Sequence, residues 1–394
     1  MLNRLLLALL AGVGLAGVPA STSGTTPPAP VFSTLAASHQ STGAYTPAQI
    51  QAAYGITPLL GQGIDGAGQT IALIEFDRFD PADIQQFDAA NQLADPTLQT
   101  FFPAGHGFTL QTSGEATLDI EWAHALAPAA TIQVYYVQDG QSSRAGWKTL
   151  ATAINAAVAG GASTISMSFG ACKPGTSYQV TRNALAASLQ HGVNVFVSSG
   201  DSGAHPGPVR QCGSKLGVTY PASDPSVVSV GGTSLLLNDD GTISQETAWR
   251  LSGGGKGSPL PRPIWQLTSN LKPGKYRWVP DVAFLGDPAT GVEVFYHGAW
   301  HQAGGTSLGA PAWAAIWTLI QEDAQHAGKS IGAAPAILYG IGNSSSYMQA
   351  FSNITQGSNG HYHAGAGWNP VTGWGTPKVS GLASAILALS AASP

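Results

Sequence analysis

From residue 69 onward the chain alternates short apolar runs with longer stretches of helical period. Gln69–Phe76 (QTIALIEF), Ala130–Val137 (ATIQVYYV), Ser163–Phe169 (STISMSF) and Val193–Ser198 (VNVFVS) read as buried strands. Asp80–Leu93, Gly114–Ala127, Ala145–Val158 and Val180–His191 read as helices. Strands alternating with helices at this spacing predict βαβ units and a mostly parallel sheet covered on both faces, an α/β fold. Site residues are then expected at the C-terminal ends of strands. Past Pro225 the order changes. VVSVGG (227–232) is one more strand, and a Gly/Pro-rich section runs to about residue 278. Val279–Tyr296, an apolar helix over Ala312–Ile320, a Gly-rich loop over Gly357–Pro377 and a closing helix over Val379–Leu389 follow. A short helix over Tyr45–Tyr54 opens the folded part. No internal repeat interrupts the series, so one large domain over 45–394 is the economical account.

The first residues have a different grammar. Arg4, the apolar run Leu5–Ala16 and Val18-Pro19-Ala20 predict a secretion signal over 1–20 and therefore an extracellular protein. Ser21–Ala44, rich in Ser, Thr, Pro and Ala, reads as a flexible linker. No later run is long enough to span a membrane. Cys172 and Cys212 fit one disulfide, with two buried thiols as the alternative; export favours the bridge.

Composition narrows the partners. Hydrophobic residues make up 43% and charged residues only 9%, against about 25% in ordinary domains. The net charge is −5 with no basic cluster, which excludes nucleic acid as the expected partner. A surface built from Ser, Thr, Gln, Asn and Gly changes charge little as carboxylates protonate, which suits an acidic medium. A monomer is expected.

The candidate chemistry begins at Gly304–Pro311 (GGTSLGAP), where glycines lead Ser307 to the mouth of a helix. A hydroxyl exposed there, with backbone N–H groups nearby, suits a nucleophile that needs donors for an oxyanion. An ordinary Ser/Thr helix cap is the plain alternative. Glu115 and Asp119 are four residues apart, so their carboxylates share one helix face. Buried together they would raise one pKa and could share a proton, one acting as base and the other orienting it. A solvated acidic face near a helix N-terminus is the alternative. Glu121 points elsewhere and reads as structural or solvated. Asp201 ends the strand VNVFVS between Gly200 and Gly203, at a strand edge or in an Asx-turn. Gly200-Asp201-Ser202-Gly203 echoes the chymotrypsin serine motif. That all-β fold also needs an Ala-Ala-His-Cys segment, which is absent, so Ser202 is rejected as nucleophile.

Four motifs now stand in order: E-x-x-x-D at 115–119 followed by ALAP, SSGDSG at 198–203, VPDVAFLGDPATG at 279–291, and GGTSLGAP at 304–311. From about Tyr45 to the C-terminal helix the chain resembles the sedolisins, the serine-carboxyl peptidases. The resemblance implies a subtilisin-like fold and an acid endopeptidase acting on proteins or peptides through an acyl-enzyme. It implies Ser307 as nucleophile, Glu115 as general base, Asp119 as its support, and Asp201 as a protonated oxyanion donor. An ordinary subtilisin would need a His-Gly-Thr segment, and none of the ten histidines lies in one.

Three departures stand out. The resemblance implies a calcium loop with two Asp carboxylates, but Asn353 and Asn369 occupy the matching positions. Affinity for calcium falls as ligand charge is removed, so weak or no binding is expected even if the carbonyls of Ile354, Gly365 and Gly367 still shape the loop. The resemblance also implies a long N-terminal propeptide, yet only Ser21–Ala44 separates the signal from the folded part. Phe169 stands where relatives often carry Trp near a glutamate matching Glu75, so any indole N–H bond to Glu75 is lost. Two other classes compete. One is an inactive secreted binding protein on the same scaffold. The other is a glycoside hydrolase using the Glu115–Asp119 pair at about 5 Å, which leaves Ser307 and Asp201 unexplained.

Overall fold

The computed structural model describes residues 33–34, 43–107, 110–138, 144–172, 177–267 and 274–391. The signal and most of the 21–44 stretch lie outside the described residues. Within that stretch, Ser33–Thr34 form a strand pairing antiparallel with Gln302 and His301.

The apolar runs form the strands expected of them. The central sheet contains β1 (Thr70–Glu75), β2 (Leu98–Phe101), β3 (Thr131–Tyr136), β4 (Thr164–Met167), β5 (Asn194–Ser198), β6 (Val228–Leu237), β7 (Ile243–Ala248) and β8 (Val282–Leu285). Their order is β8-β6-β5-β4-β1-β3-β2, with β7 paired to β6. Every pairing is parallel except that of β7 with β6. A hairpin of β9 (Val292–Tyr296) and β10 (Ala299–Ala303) leads into the serine segment.

Helices cover both faces. α1 (Pro81–Asn91), α2 (Glu115–Leu126), α5 (Thr306–His326) and α6 (Val379–Ala391) belong to one side, and α3 (Arg144–Ala159) and α4 (Gln179–Gln190) to the other. α1 starts cleanly because Asp80 caps it, its side chain accepting from Ala82 N at 2.9 Å, with Pro81 in the first turn. α2 is buried around its whole circumference. Its apolar side chains Leu118, Ile120 and Trp122 pack in the core, and its acids Glu115, Asp119 and Glu121 are buried alongside them. Cys172 and Cys212 form a disulfide, tying the segment after β4 to the loop after β5. No helix of the described residues is long and apolar enough to cross a membrane.

β4 and β1 are neighbours, although two intervening strands lie on the far side of β1. The chain therefore reverses its winding between β1 and β4. Crevices at such a switch point, beyond the carboxyl ends of the strands, are where α/β sheets place their sites.

Candidate active site

The ends of β1, β4 and β5 deliver Glu75, Ser168 and Asp201 to that crevice, while α2 and α5 bring Glu115, Asp119 and Ser307. The four residues singled out in the sequence are thus brought together. The ordinary alternatives for the acidic pair fail, because Glu115 is 1% exposed and Asp119 is fully buried.

α2 begins at Glu115 behind Gly114, which has φ 86° and no capping side chain. Asp77, just past β1, supplies the cap from outside. Its carboxylate accepts from Ser113 N and Glu115 N at 2.8 Å and from Ser113 Oγ at 3.1 Å. A cap of this kind contributes about 1 kcal/mol and here also fixes where Glu115 starts. Burial pushes the Glu115 carboxyl well above its usual range, and the Asp119 charge adds to it. The Ser307 side chain beside it pulls the other way, and the Ser307 hydroxyl itself donates to Ser168 O at 3.5 Å. Burial pushes Asp119 up to about 7, against the pull of hydrogen bonds to Ser168 and Glu75. Neither Glu75 oxygen meets a fixed donor; the Asp119 carboxyl faces it, and two carboxyls bond only when one holds a proton. Burial first and Asp119 second raise Glu75 as well. Phe169, 5.5 Å from Phe76 ring to ring, offers this group no donor.

Ser307 lies in the first turn of α5 and is 3% exposed. First-turn N–H groups have no partner within the helix, and the helix dipole is positive there. Asp201 is fastened next to it. Its Oδ1 accepts from Thr306 N at 2.8 Å and Thr306 Oγ1 at 2.7 Å, and Gly200 N donates to Thr306 Oγ1 at 3.0 Å. Oδ2 lies over Gly305, where a Cβ would come within 2.8 Å of it. Gly305 has φ 119°, so a glycine is required on two counts. Burial raises the Asp201 carboxyl, offset by the two Thr306 bonds.

One expectation needs correction. The serine helix does not start after Pro311. It starts at Thr306 and runs to His326, with Pro311 inside it. Proline denies the Ser307 carbonyl its helical donor, and Ser168 Oγ fills the gap at 3.1 Å. The same hydroxyl lies 2.7 Å from Asp119 Oδ2. Of the two readings left open for Glu121, structural or solvated, the structure takes the first. The residue is fully buried, and its Oε2 accepts from Phe295 N at 3.2 Å. Sequence reading missed Asp77, Ser168 and Thr306, whose signals are single polar residues just past strands or beside the serine.

The residues at 353 and 369 do not fit a calcium ion. Asn353 Oδ1 accepts from Gly367 N and Tyr347 OH, and Asn369 presents N–H groups toward the carbonyls of Ile354 and Gly365. Donors face the oxygens a cation would need. Among the described residues no group of three or more His, Cys, Asp or Glu could hold a metal.

The sheet is mostly parallel and carries a buried serine–carboxylate cluster at its switch point, and residues 79–367 match the Subtilase family. The chain belongs to that family, and its relatives place it in the sedolisin branch, the serine-carboxyl peptidases. Kumamolisin of Bacillus sp. (strain MN-32) is 34% identical over 87% of this chain and 64% of its own length. Sedolisin of Pseudomonas sp. (strain 101) is 32% identical over 77% and 55%. Human tripeptidyl-peptidase 1 is 28% identical over 87% and 64%. The chain thus spans less than two thirds of the length of these relatives. The solved structure of Pseudomonas sedolisin, a serine-carboxyl proteinase complexed with two molecules of pseudo-iodotyrostatin, superposes with a TM-score of 0.77. It is 28% identical, covering 88% of this chain and 98% of that one.

Proposed function

We propose that this chain is a secreted, acid-active serine endopeptidase that cleaves proteins or peptides through an acyl-enzyme. The observation that carries the reading is the meeting of the Ser307 side chain, in the first turn of α5, with the buried Glu115 carboxyl at the start of α2. In the first step Ser307 Oγ attacks the scissile carbonyl carbon while its proton passes to Glu115. The negative charge that forms on the carbonyl oxygen is met by the Ser307 N–H and by a proton on Asp201 Oδ2. Glu115 then gives its proton to the leaving amine as the C–N bond breaks. Water, deprotonated by Glu115, attacks the acyl ester; as the C–Oγ bond breaks Glu115 returns that proton to Ser307 Oγ, and the second product leaves.

Asp119 is a positioning group in this scheme: Ser168 Oγ, 2.7 Å from Asp119 Oδ2 and 3.1 Å from Ser307 O, ties it to the serine segment. At acid pH the buried acids share a single charge, and the scheme puts it on Glu115. The three acids Glu75, Glu115 and Asp119 titrate as a set, so the pH profile reports the set. Each role is filled by a side chain or a backbone N–H of the chain itself.

An inactive scaffold would have no reason to keep all four groups in one buried cluster. Digestion of a denatured protein at acid pH, with products sized by mass spectrometry, tests the reading. Internal cleavage by the wild type and none by Ser307→Ala is expected. Release of tripeptides alone would replace endopeptidase by exopeptidase action. Equal turnover by Ser307→Ala would end the proposal.

A further inference from the structure

The loop between Phe351 and Pro377 closes through one side chain. Asn369 is 5% exposed. Its Oδ1 accepts from Val371 N and Thr372 N, both at 3.0 Å. Backbone N–H groups can donate only to an oxygen, so this fixes the amide's orientation and turns Nδ2 the other way. Nδ2 faces three oxygens: Thr372 Oγ1 at 3.0 Å, Gly365 O at 3.2 Å and Ile354 O at 3.4 Å. Two of these are backbone carbonyls from separate parts of the loop. Oxygens converging on one point need either a donor or a cation between them, because their dipoles repel.

The loop in turn holds up the side of the site that carries Asp201. Asn359 Nδ2 donates to Ser252 O at 3.2 Å and Gly254 O at 3.3 Å. Asn359 O accepts from Ala204 N at 3.2 Å. Gly253 N donates to Gly200 O at 2.6 Å, one residue before Asp201. The chain of support runs from Asn369 through the loop to the residues flanking Asp201.

We propose that the Asn369 carboxamide takes the place of a bound divalent cation in this loop, so that the fold and the Asp201 side of the site hold their shape without metal. The same geometry makes position 369 one functional group away from a hard-cation site. An aspartate there would set a carboxylate oxygen against the carbonyls of Ile354 and Gly365, a set of oxygens that repels itself when empty and suits calcium when filled. Asn353 stands at the other end of the loop, its Oδ1 bonded to Gly367 N at 3.1 Å. An aspartate at 353 keeps that bond and adds a second negative charge.

The test uses the full chain and calcium alone, and does not depend on peptidase activity. Thermal unfolding of the wild type is expected to be the same in chelator and in millimolar calcium. Asn369→Asp is expected to melt several degrees lower in chelator and to recover with calcium, since binding to the folded state alone raises its stability. The pair Asn353→Asp/Asn369→Asp should show the larger recovery. Terbium luminescence sensitised by the neighbouring Trp368 provides a second reading on the wild type, where none is expected. Should Asn369→Asp fail to fold even with calcium, Asn353→Asp alone and the wild-type luminescence still decide. A wild-type melting temperature that rises with calcium, or sensitised terbium emission from the wild type, overturns the proposal. So does an Asn369→Asp protein that melts like the wild type in chelator and ignores calcium.

Discussion

Pro311 leaves the carbonyl of Ser307 without a helical donor, and Ser168 supplies one from the next element, 3.1 Å away. The proline thus couples the backbone of the serine segment to the end of β4. Because the Ser168 hydroxyl also touches Asp119, one small side chain ties the serine helix to the protonation state of the acidic cluster.

Ser168→Ala removes that tie without adding bulk. It is expected to lower kcat by up to about a hundredfold, the order of loss when a reacting group is slightly misplaced. The acid limb of the kcat/KM profile should shift, because Asp119 loses its partner. Ser168→Thr, which keeps the hydroxyl, should recover much of the loss. An unshifted profile would leave Ser168 a packing residue only.

Asp201→Asn tests the oxyanion side. The amide oxygen can accept the Thr306 bonds while its NH2 takes the place of Oδ2. Wild-type activity should fall at higher pH as Asp201 loses the proton it donates, at a pH above the usual carboxylate range because burial raises it. In the variant that limb should flatten, because an amide donates at every pH. The measurement is kcat/KM against pH on one peptide.

Gly305→Ala is expected to abolish activity. The new methyl would press on Asp201 Oδ2 at 2.8 Å and strain a backbone held at φ 119°. Activity within tenfold of the wild type, in a protein with an unchanged melting temperature, would contradict the arrangement around Asp201.

Stability should decline as pH rises from about 4 to about 8. Buried Asp88 and Glu293 are pushed up to about 7 from ordinary values of 3.8 and 4.5, by burial first, then by the Asp95 charge on Asp88 and against an Asn91 hydrogen bond on Glu293. A carboxyl raised on folding contributes stability that is fully present below its unfolded pKa and lost as pH climbs through the folded one. Neighbouring Glu121 is also raised, mainly by burial. His124 acts the other way: burial lowers it, so it costs stability as pH falls. One imidazole is outnumbered by the carboxyls. Melting temperatures across this range check the sign, and the double variant Asp88→Asn/Glu293→Gln should flatten the slope.

The sequence made the chemistry legible where it was written locally. A four-residue spacing put Glu115 and Asp119 on one face, and glycines marked Asp201 and Ser307. The apolar runs predicted the five inner strands of the sheet, because burial on both faces leaves that signature, whereas the half-exposed strands Leu98–Phe101 and Ile243–Ala248 escaped it. What escaped was contributed from a distance. Asp77 caps α2 from the end of another strand, and Thr306 fastens Asp201 across a gap of 105 positions. The apolar run Ala312–Ile320 marked only the middle of the serine helix; its first turns hold Gly309 and Pro311, and Ser168 donates to the carbonyl that Pro311 leaves without a helical partner. Glu121 could be read as structural or solvated and no further, because its partner, a backbone N–H of the hairpin, lies 174 residues away.

The central claim is that Ser307 is made reactive by Glu115. It is tested most directly by kcat/KM on one peptide at acid pH for Glu115→Gln, Ser307→Ala and the double variant, with matched melting temperatures. Residues that act as one unit lose their effect together. The expected result is a fall of about a thousandfold or more for each single variant and no further fall for the double. A Glu115→Gln enzyme within about tenfold of the wild type, or losses that multiply in the double variant, would contradict the account.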